Sequence, residues 1–451
     1  MNYVYLVSHW LSYEEQDLQK DNKVKDYNII RINYKDNFYF QFLLTLLRTS
    51  KYSLFIHDGC FIKEYPDELW IQKAIQTLNT NSDRDIVTCS IEKDDNKRIF
   101  PYGCMFLSSL RLRYIITKTR FRVNEKHPYI YFYQSFKCLF NSTLIAIPYE
   151  GILYNNLQQY RKSIYNSTDY EKDCVNALNI KMINCEDHYS ENDNSIGIVI
   201  SQFKREYLTE QIEAINKSTL PPSEIIIYQN LNFYNYKDIF IKHPSLYHIW
   251  STNWQSPFFI RNLVPLLFRT HYHILFDDDI IPGIDTIIEL VNAVKKYKAP
   301  SGVDGRIVNK SFFNGNEYCF IGVASNNNIK EVDYVIQVYI RNEIQSKVFW
   351  RYRPYTHRNG EDIHGGLSWY MECKTRPHRV PYINTAKYKN YGNDNVATYK
   401  TNSHSYLRSI IFRSWIIGGY KPVLNNIDLK EYPTGNDNLR ERYLNKTFRY
   451  F

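Results

Sequence analysis

The sequence predicts an α/β protein built from two successive units of one fold, the second intact and the first degenerate. Three observations carry this expectation. From residue 196 onward, short apolar runs alternate with amphipathic stretches, which is the grammar of a parallel sheet with crossover helices. One of those runs, His273-Ile274-Leu275-Phe276, ends abruptly in Asp277-Asp278-Asp279 and then Ile280-Ile281-Pro282-Gly283. A shift of 220 positions also lays the strand-helix-strand pattern over itself without a gap.

Composition sets the frame. A chain of 451 residues predicts two or three domains, and 44% apolar with 23% charged residues is ordinary for a globular chain with a large core. The formal net charge of +9 suits a polyanionic partner such as a nucleotide diphosphate, but no zinc-finger spacing, bipartite basic run or RNA-binding aromatic motif points to nucleic acid. The eight Cys are scattered, with no pair at two-residue spacing, which argues against a structural zinc site or a redox motif. The opening MNYVYLVSHWLSYEEQ lacks a basic lead, and no run of about 18 apolar residues occurs, so neither a signal peptide nor a membrane span is expected. A cytoplasmic protein is the expectation, with peripheral membrane association left open.

The elements follow in order. In residues 1–150, Tyr3–Val7, Tyr27–Ile32, Tyr52–Ile56 and Asp85–Ser90 read as strands, and Phe38–Leu47 and Trp70–Leu78 as helices. The 220-residue shift places Tyr27-Asn28-Ile29-Ile30 on Tyr247-His248-Ile249-Trp250, and Tyr52-Ser53-Leu54-Phe55-Ile56 on Tyr272-His273-Ile274-Leu275-Phe276. It is unequal where chemistry would sit: Asp277, Asp278 and Asp279 fall on His57, Asp58 and Gly59. The first copy is therefore expected to have lost any cation site. Residues 151–194 read as a polar linker with a short helix near 170–178, ending in the turn-rich Ser190–Ser195. In the second copy, Ile196–Ile200, Glu224–Asn230 and Tyr247–Trp250 are strands. Tyr207–Lys217 is an amphipathic helix with Leu208, Ile212 and Ile215 on one face, and Phe258–Phe268 is a helix leading to the acidic strand.

Three successive carboxylates at the C-terminal end of a buried strand repel one another. That edge is where open α/β sheets bind ligands. A divalent cation is the natural compensation, and all-oxygen ligands suit magnesium or manganese, which commonly share substrate phosphates.

The second half resembles a glycosyltransferase of the GT-A fold. The likeness is carried by the opening strand with Ser201…Arg205, by Arg261-Asn262, by Asp277-Asp278-Asp279 and by Gly360-Glu361-Asp362. The stretch Val332-Asp333-Tyr334, Arg353-Pro354-Tyr355-Thr356 and Gly360-Glu361-Asp362-Ile363-His364 is similar to the exostosin-like branch, with some likeness to the broad family-2 enzymes. The resemblance spans about 195–400 and reaches the first half only through the repeat. It implies two tandem GT-A-like (nucleotide-diphospho-sugar transferase, Rossmann-like) domains. Residues 1–150 would be the degenerate domain, 151–194 the linker, 195–420 the catalytic domain and 421–451 a C-terminal tail.

The roles the resemblance implies are specific. Asp277 and Asp279, with His364 as a candidate third ligand, would hold Mn2+ or Mg2+, with His378 and His404 as alternative late histidines. Ser201, Phe203, Arg205, Arg261, Asn262, Asp277 and Asp278 would bind a nucleotide-sugar donor, a UDP-sugar foremost. Asp362 would take the acceptor hydroxyl's proton in an inverting reaction, or orient donor and acceptor in a retaining one, with Glu361 beside it. Trp350, Tyr352 and Trp369 are candidates for stacking on an acceptor sugar. One departure is Trp254-Gln255-Ser256-Pro257, standing where the family has a Gly-rich segment. The expected activity is metal-dependent transfer of a sugar to a glycan or glycosylated acceptor. The rivals are an inactive glycan-binding or assembly protein and a sugar nucleotidyltransferase; the latter usually opens with a Gly-rich phosphate loop, whereas Ile196–Arg205 holds one Gly.

Overall fold

The computed structural model describes 194–230, 233–235, 237–243, 245–251, 257–308, 320–322, 331–356, 359–380, 389–392 and 404–424 in the second half of the chain. In the first half it describes 6–7, 30–33, 43, 46, 52–56, 60–62, 68–80, 86–88, 90–93, 99–102, 104–118, 136, 139–140, 144–146 and 152–154. The chain divides into two compact units. One is Met1–Tyr27 with Asp36–Ile183, and the other is Asn28–Lys35 with Asn184–Phe451.

The larger unit is built on a mixed sheet. Its strands are β1 (Ile30–Asn33), β2 (Ile196–Gln202), β3 (Glu224–Asn230), β4 (Tyr247–Ser251), β5 (Tyr272–Phe276), β6 (Ser301–Val308), β7 (Phe320–Gly322) and β8 (Tyr334–Asn342), in the spatial order β7-β6-β8-β5-β2-β3-β4-β1. The central strands β5, β2, β3 and β4 are parallel, while β8, β6, β7 and β1 run antiparallel to their neighbours. The expected parallel sheet is thus confined to the middle, and antiparallel strands extend it on both sides.

Alternation along the strands sorts side chains to the two faces. Ile196, Ile198 and Ile200 of β2 and Tyr272, Ile274 and Phe276 of β5 join one buried cluster with helix α1 (Leu208–Asn216) and helix α2 (Thr286–Tyr297). Leu208, Ile212 and Ile215 are the buried face of α1, as the helical spacing predicts. On the other face lie α3 (Glu343–Phe349) and α4 (Glu361–Cys373), with α5 (His404–Ile417) packed on α4. There Ile363 and Leu367 meet Ile411, Phe412 and Trp415. The single helix expected over 258–268 is instead a short helix, Pro257–Ile260, and a 3-10 turn, Val264–Leu267. Pro265 lacks the N–H that a continuous helix would need there.

In the smaller unit the strands Leu6–Val7, Tyr52–Ile56, Cys104–Ser108, Ile86–Thr88 and Leu144–Ala146 lie side by side in that order. The first two are parallel, and Cys104–Ser108 is antiparallel to both Tyr52–Ile56 and Ile86–Thr88. Helices Glu68–Thr80 and Ser109–Lys118 follow the second and third of these positions in the chain. This is the order and direction of β2, β5, β8 and β6, with α2 and α3 at the matching connections. One part of the 220-residue correspondence takes another form. The strand expected over Tyr27–Ile32, in the first unit in the place of β4, is found as Ile30–Asn33, an edge strand of the second unit's sheet, paired antiparallel with β4 itself (Ile249 opposite Ile32). The helices expected near 38–47 and 170–178, and His57, Asp58 and Gly59, lie outside the described residues apart from Leu43 and Leu46.

Two strand histidines make the larger unit acid-sensitive. In β5, His273 donates from Nε2 to the Thr270 carbonyl (3.0 Å) and accepts the Ser346 hydroxyl at Nδ1 (2.9 Å), and burial lowers its pKa to about 4. Burial likewise lowers His248 in β4 to about 4. Each is neutral when folded and binds a proton more readily when unfolded, so the contribution of these two groups to stability is lost as pH falls from about 6.5 towards 4. His273→Asn and His248→Asn should each lose less of their urea midpoint between pH 7 and pH 5 than the wild type does, and an unchanged pH dependence in both would contradict the assignment.

Candidate active site

The chain leaves β2 by α1 toward β3 and β4, then returns to the other side of β2 as β5. The C-terminal ends of β2 and β5 therefore meet where the winding reverses, the position at which open α/β sheets form a ligand crevice. The residues after β2 are Phe203, Lys204 and Arg205, and those after β5 are Asp277, Asp278 and Asp279.

The acidic turn is stitched to its surroundings before any side chain reaches outward. Gln211 on α1, fully buried, donates to the carbonyls of Asp277 (2.7 Å) and Ile280 (2.8 Å) and accepts from Gln202 (3.0 Å). The Asp277 N–H donates to the Gln337 carbonyl at 3.0 Å. Gln337 holds a left-handed φ of 64°, where strand residues rarely go, and the pairing of β6 with β8 slips at this point. On the outer side, Ile280–Ile281 pairs with Lys389–Asn390, and Tyr391 N–H donates to the Asp279 carbonyl (2.8 Å) while its ring stacks on Tyr207. A Cβ on Gly392 would stand 2.5 Å from Asp279 Oδ2, so this segment runs directly over the motif.

The carboxylates are held by arginines. Arg205 pairs with Asp278 and lies 3.4 Å from Asp279 Oδ2. Arg261 pairs with Asp277 and, through Nη2, with Glu361 Oε1 at 2.5 Å. Arg408 Nη2 donates to Asp362 Oδ2 at 2.6 Å. The network gathers Arg205, Arg261, Asp277, Asp278, Asp279, Glu361 and Asp362, all expected from the sequence, and adds Arg408.

Burial and charge then set the protonation preferences. Burial pushes the Asp279 carboxyl up to about 7, with Asp277 and Asp278 adding to the rise. Burial also raises Asp278 against the pull of Arg205, and raises Glu361 against the pull of Arg261. For Asp362 the order reverses: burial pushes upward, but Arg408 holds it below the usual carboxylate range. Burial opposes the charge of Arg261, yet Asp277 and Glu361 hold its pKa above the ordinary value.

Asp279 Oδ1 is buried without a hydrogen-bond partner. An unpartnered, hard oxygen beside two further carboxylates fits a divalent cation. Among the described residues no three His, Cys, Asp or Glu side chains are gathered where one ion could meet them all. Ser201 Oγ, at the end of β2, is likewise buried and unpartnered. Phe203 N–H donates to Asp278 Oδ2 (3.2 Å), and its ring meets Phe233 edge-on at 5.0 Å with the Lys204 ammonium 4.8 Å from the Phe233 ring.

Several expected residues have other work. His364, expected as a metal ligand, is 1% exposed; its Nε2 donates to the Phe349 carbonyl (2.8 Å) and its ring packs against Phe259, Phe349 and Trp415. That setting is structural. His378 stacks on Tyr297, and His404 accepts from Asn359. Asn262 turns inward, accepting from Arg341 (2.8 Å) and, through its carbonyl, from Trp350 Nε1 (3.0 Å). Trp350 and Trp369 are core residues, and Tyr352 is nearly buried with its hydroxyl on Glu372.

Gly360-Glu361-Asp362 begins helix α4, with Gly360 at a left-handed φ of 78°. A Cβ at Gly360 would also fall 2.5 Å from the Ile411 side chain of α5. The acids therefore stand in the first turn of a helix, where the helix dipole favours negative charge.

No protein-family profile matches the chain, and no curated protein does. Among solved structures, S. aureus TarS aligns at 15% identity over 52% of this chain with a TM-score of 0.35, and the chain spans only 40% of that protein. The 1–349 portion of TarS aligns at 15% identity over 56% of this chain and 71% of its own length, and the same portion in complex with UDP-GlcNAc at 14% over 56% and 72%, both with TM-scores of 0.35. At that score the likeness bears on neither the fold nor the activity of this chain.

The site's rear wall makes one stability prediction. A methyl at Gly365 would fall on the Arg341 guanidinium, which is buried between Tyr339, Phe349 and Asn262. Gly365→Ala should lower unfolding stability by about 1–3 kcal/mol, the usual cost of overpacking. An unchanged urea midpoint would show that Arg341 moves aside freely.

Proposed function

We propose that the larger unit is a glycosyltransferase that moves a sugar from a nucleoside diphosphate donor, foremost a UDP-sugar, onto a carbohydrate acceptor. The observation that supports this best is the double attachment of Arg261. One guanidinium joins Asp277, on the strand-end crevice, to Glu361, beside Asp362 on the α4 N-terminus. The guanidinium thus ties the acidic turn to the first turn of α4. Asp278 and Asp279, raised and crowded, suit a cation with phosphates; Asp362, held ionised by Arg408, suits a proton acceptor.

In this reading Asp279 and Asp277 hold a divalent cation. When bound, it supplies Lewis-acid neutralisation of the charge that grows on the departing diphosphate. Arg205 and Arg261 exchange part of their contact with the carboxylates for contact with the phosphates, and Ser201 and Phe203 border the nucleotide. Asp362, ionised, accepts the proton of the acceptor hydroxyl as that oxygen bonds to the anomeric carbon. The bond from the anomeric carbon to the diphosphate oxygen breaks, and the nucleoside diphosphate leaves with its electron pair. Glu361, anchored by Arg261, orients a sugar hydroxyl.

Formal charge agrees. Asp277, Asp278, Asp279, Glu361 and Asp362 face Arg205, Arg261, Arg341 and Arg408, five negative groups against four positive. A dication together with a diester diphosphate of about two negative charges adds no net charge to the site. We further read the smaller unit as a degenerate copy of the same fold, on its matching strand order and the loss of two of the three acids in the 220-residue correspondence.

Thermal unfolding with UDP-glucose, UDP-N-acetylglucosamine, UDP-galactose and GDP-mannose, each with and without manganese, tests the donor side. A donor at 100 times its Kd should stabilise the wild type by about 2.7 kcal/mol in the presence of manganese. Asp279→Asn should abolish that shift. Wild type indifferent to every donor, or an Asp279→Asn variant that responds like wild type, would refute the assignment.

A further inference from the structure

Arg408 has no part in the roles assigned so far, yet it makes the shortest link from the body of the protein to the proposed proton acceptor. Its Nη2 donates to Asp362 Oδ2 at 2.6 Å, and its Nη1 donates to Asn359 Oδ1 at 3.3 Å. Asn359 Oδ1 also accepts the Gly360 N–H at 2.6 Å, and Asn359 Nδ2 donates to His404 Nδ1 at 3.1 Å. The guanidinium fork therefore spans the Asn359-Gly360 turn and the first turn of α4 together. Asp362 Oδ1 accepts from the Ile363 N–H at 2.8 Å, so its carboxylate is gripped at both oxygens by groups that cannot themselves accept a proton.

The fork is itself held in place. Helix α5 carries Arg408 and is packed against α4 and β8 through Ile411, Phe412, Trp415 and Ile416. Just beyond its C-terminal end, Tyr420 donates its hydroxyl and Val423 its N–H to Asp333 Oδ1 (2.7 and 2.9 Å), while Asp333 Oδ2 accepts the Val308 N–H at 2.7 Å. Asp333 is fully buried, so the end of α5 is tied to the sheet from within. Glycine at 360 lets α5 come close enough for Arg408 to reach.

We infer that Arg408 is a positioning residue: from α5 it fixes the rotamer of Asp362, so that one oxygen lone pair is aimed at the acceptor. Without the guanidinium, Asp362 would be a buried carboxylate next to Glu361, a setting that favours the neutral acid. A neutral or rotated Asp362 binds donor normally but fails to take the acceptor's proton. This inference rests on the reading of Asp362 as the proton acceptor.

The test uses the full chain and whichever of the four nucleotide sugars gives the manganese-dependent thermal shift, with water as the acceptor. Release of nucleoside diphosphate is measured for wild type, Arg408→Gln and Arg408→Lys. Arg408→Gln should lower kcat at least tenfold, with KM for the donor and the donor-dependent thermal shift unchanged. Arg408→Lys keeps the charge but lacks the fork, so it should recover part of that loss and stay several-fold below wild type. Wild-type kcat in Arg408→Gln, or loss of the donor-dependent shift in step with kcat, overturns the inference. If Arg408→Gln does not fold, Arg408→Lys decides, and full wild-type kcat in it overturns the inference. A wild type with neither shift nor turnover for any donor defeats the donor-site reading first and this inference with it. A wild type that turns over beside an unaffected Arg408→Gln defeats this inference alone.

Discussion

The bridge from Asp277 through Arg261 to Glu361 is the contact on which the site depends. It joins the end of a central strand to the start of α4, two elements far apart in sequence. Arg261 is 8% exposed, and of its two carboxylate partners Glu361 is buried and would otherwise stand uncompensated, while Asp277 keeps part of its surface in water. Breaking a buried pair of this kind by removing one partner costs about 3–5 kcal/mol, because the other charge is left stranded. Next to it in the chain, Asn262 accepts from Arg341, and Gly365 leaves the space that the Arg341 guanidinium fills. The same contact that stabilises the crevice thus sets the spacing between its two acidic groups.

The sheet explains why the acids meet there at all. Ile274 and Phe276 anchor β5 in one layer, and His273 ties it to α3 in the other, so the strand cannot slip without reversing every side chain. Its register against β2 brings Asp277 and its neighbours beside Phe203 and Arg205. Gln211 and the Gln337 carbonyl then hold the turn's backbone, leaving the aspartate side chains to be sorted by charge. The result is an acidic turn whose backbone is fixed and whose side chains are paired by charge.

Much of this was legible in the sequence, for identifiable reasons. Apolar runs gave β2, β3 and β5 because a buried parallel strand is apolar throughout, and the acids at the end of β5 stood out against that background. Gly360-Glu361-Asp362 stood out through its resemblance to a glycosyltransferase motif, and the structure gives its glycine two causes: a left-handed backbone and the approach of Ile411. Arg408 left no such signal. It is one basic residue in a helix, and only the packing of α5 on α4 reveals its partner. Gln211 lies on the apolar face of α1 between Leu208 and Ile212, and a spacing argument that counts only apolar residues passes over it. His364 misled in the opposite direction: its proximity to the acids in sequence is real, but two residues along a helix turn a side chain to a different face, here toward Phe349 and Trp415. The strand Ile30–Asn33 was recognised as a strand but assigned to the wrong sheet, since pairing partners are not written in a strand's own pattern.

In the proposed reaction the acidic turn takes its cation and its diphosphate as a pair. Electron paramagnetic resonance of manganese, titrated with the protein in the absence and presence of UDP, addresses that most directly. The arginine pairing of Asp277 and Asp278 leaves Asp279 with the unpartnered oxygen, so manganese alone should bind weakly, and UDP should tighten its binding at least tenfold. Manganese affinity that is the same with and without UDP would contradict the claim.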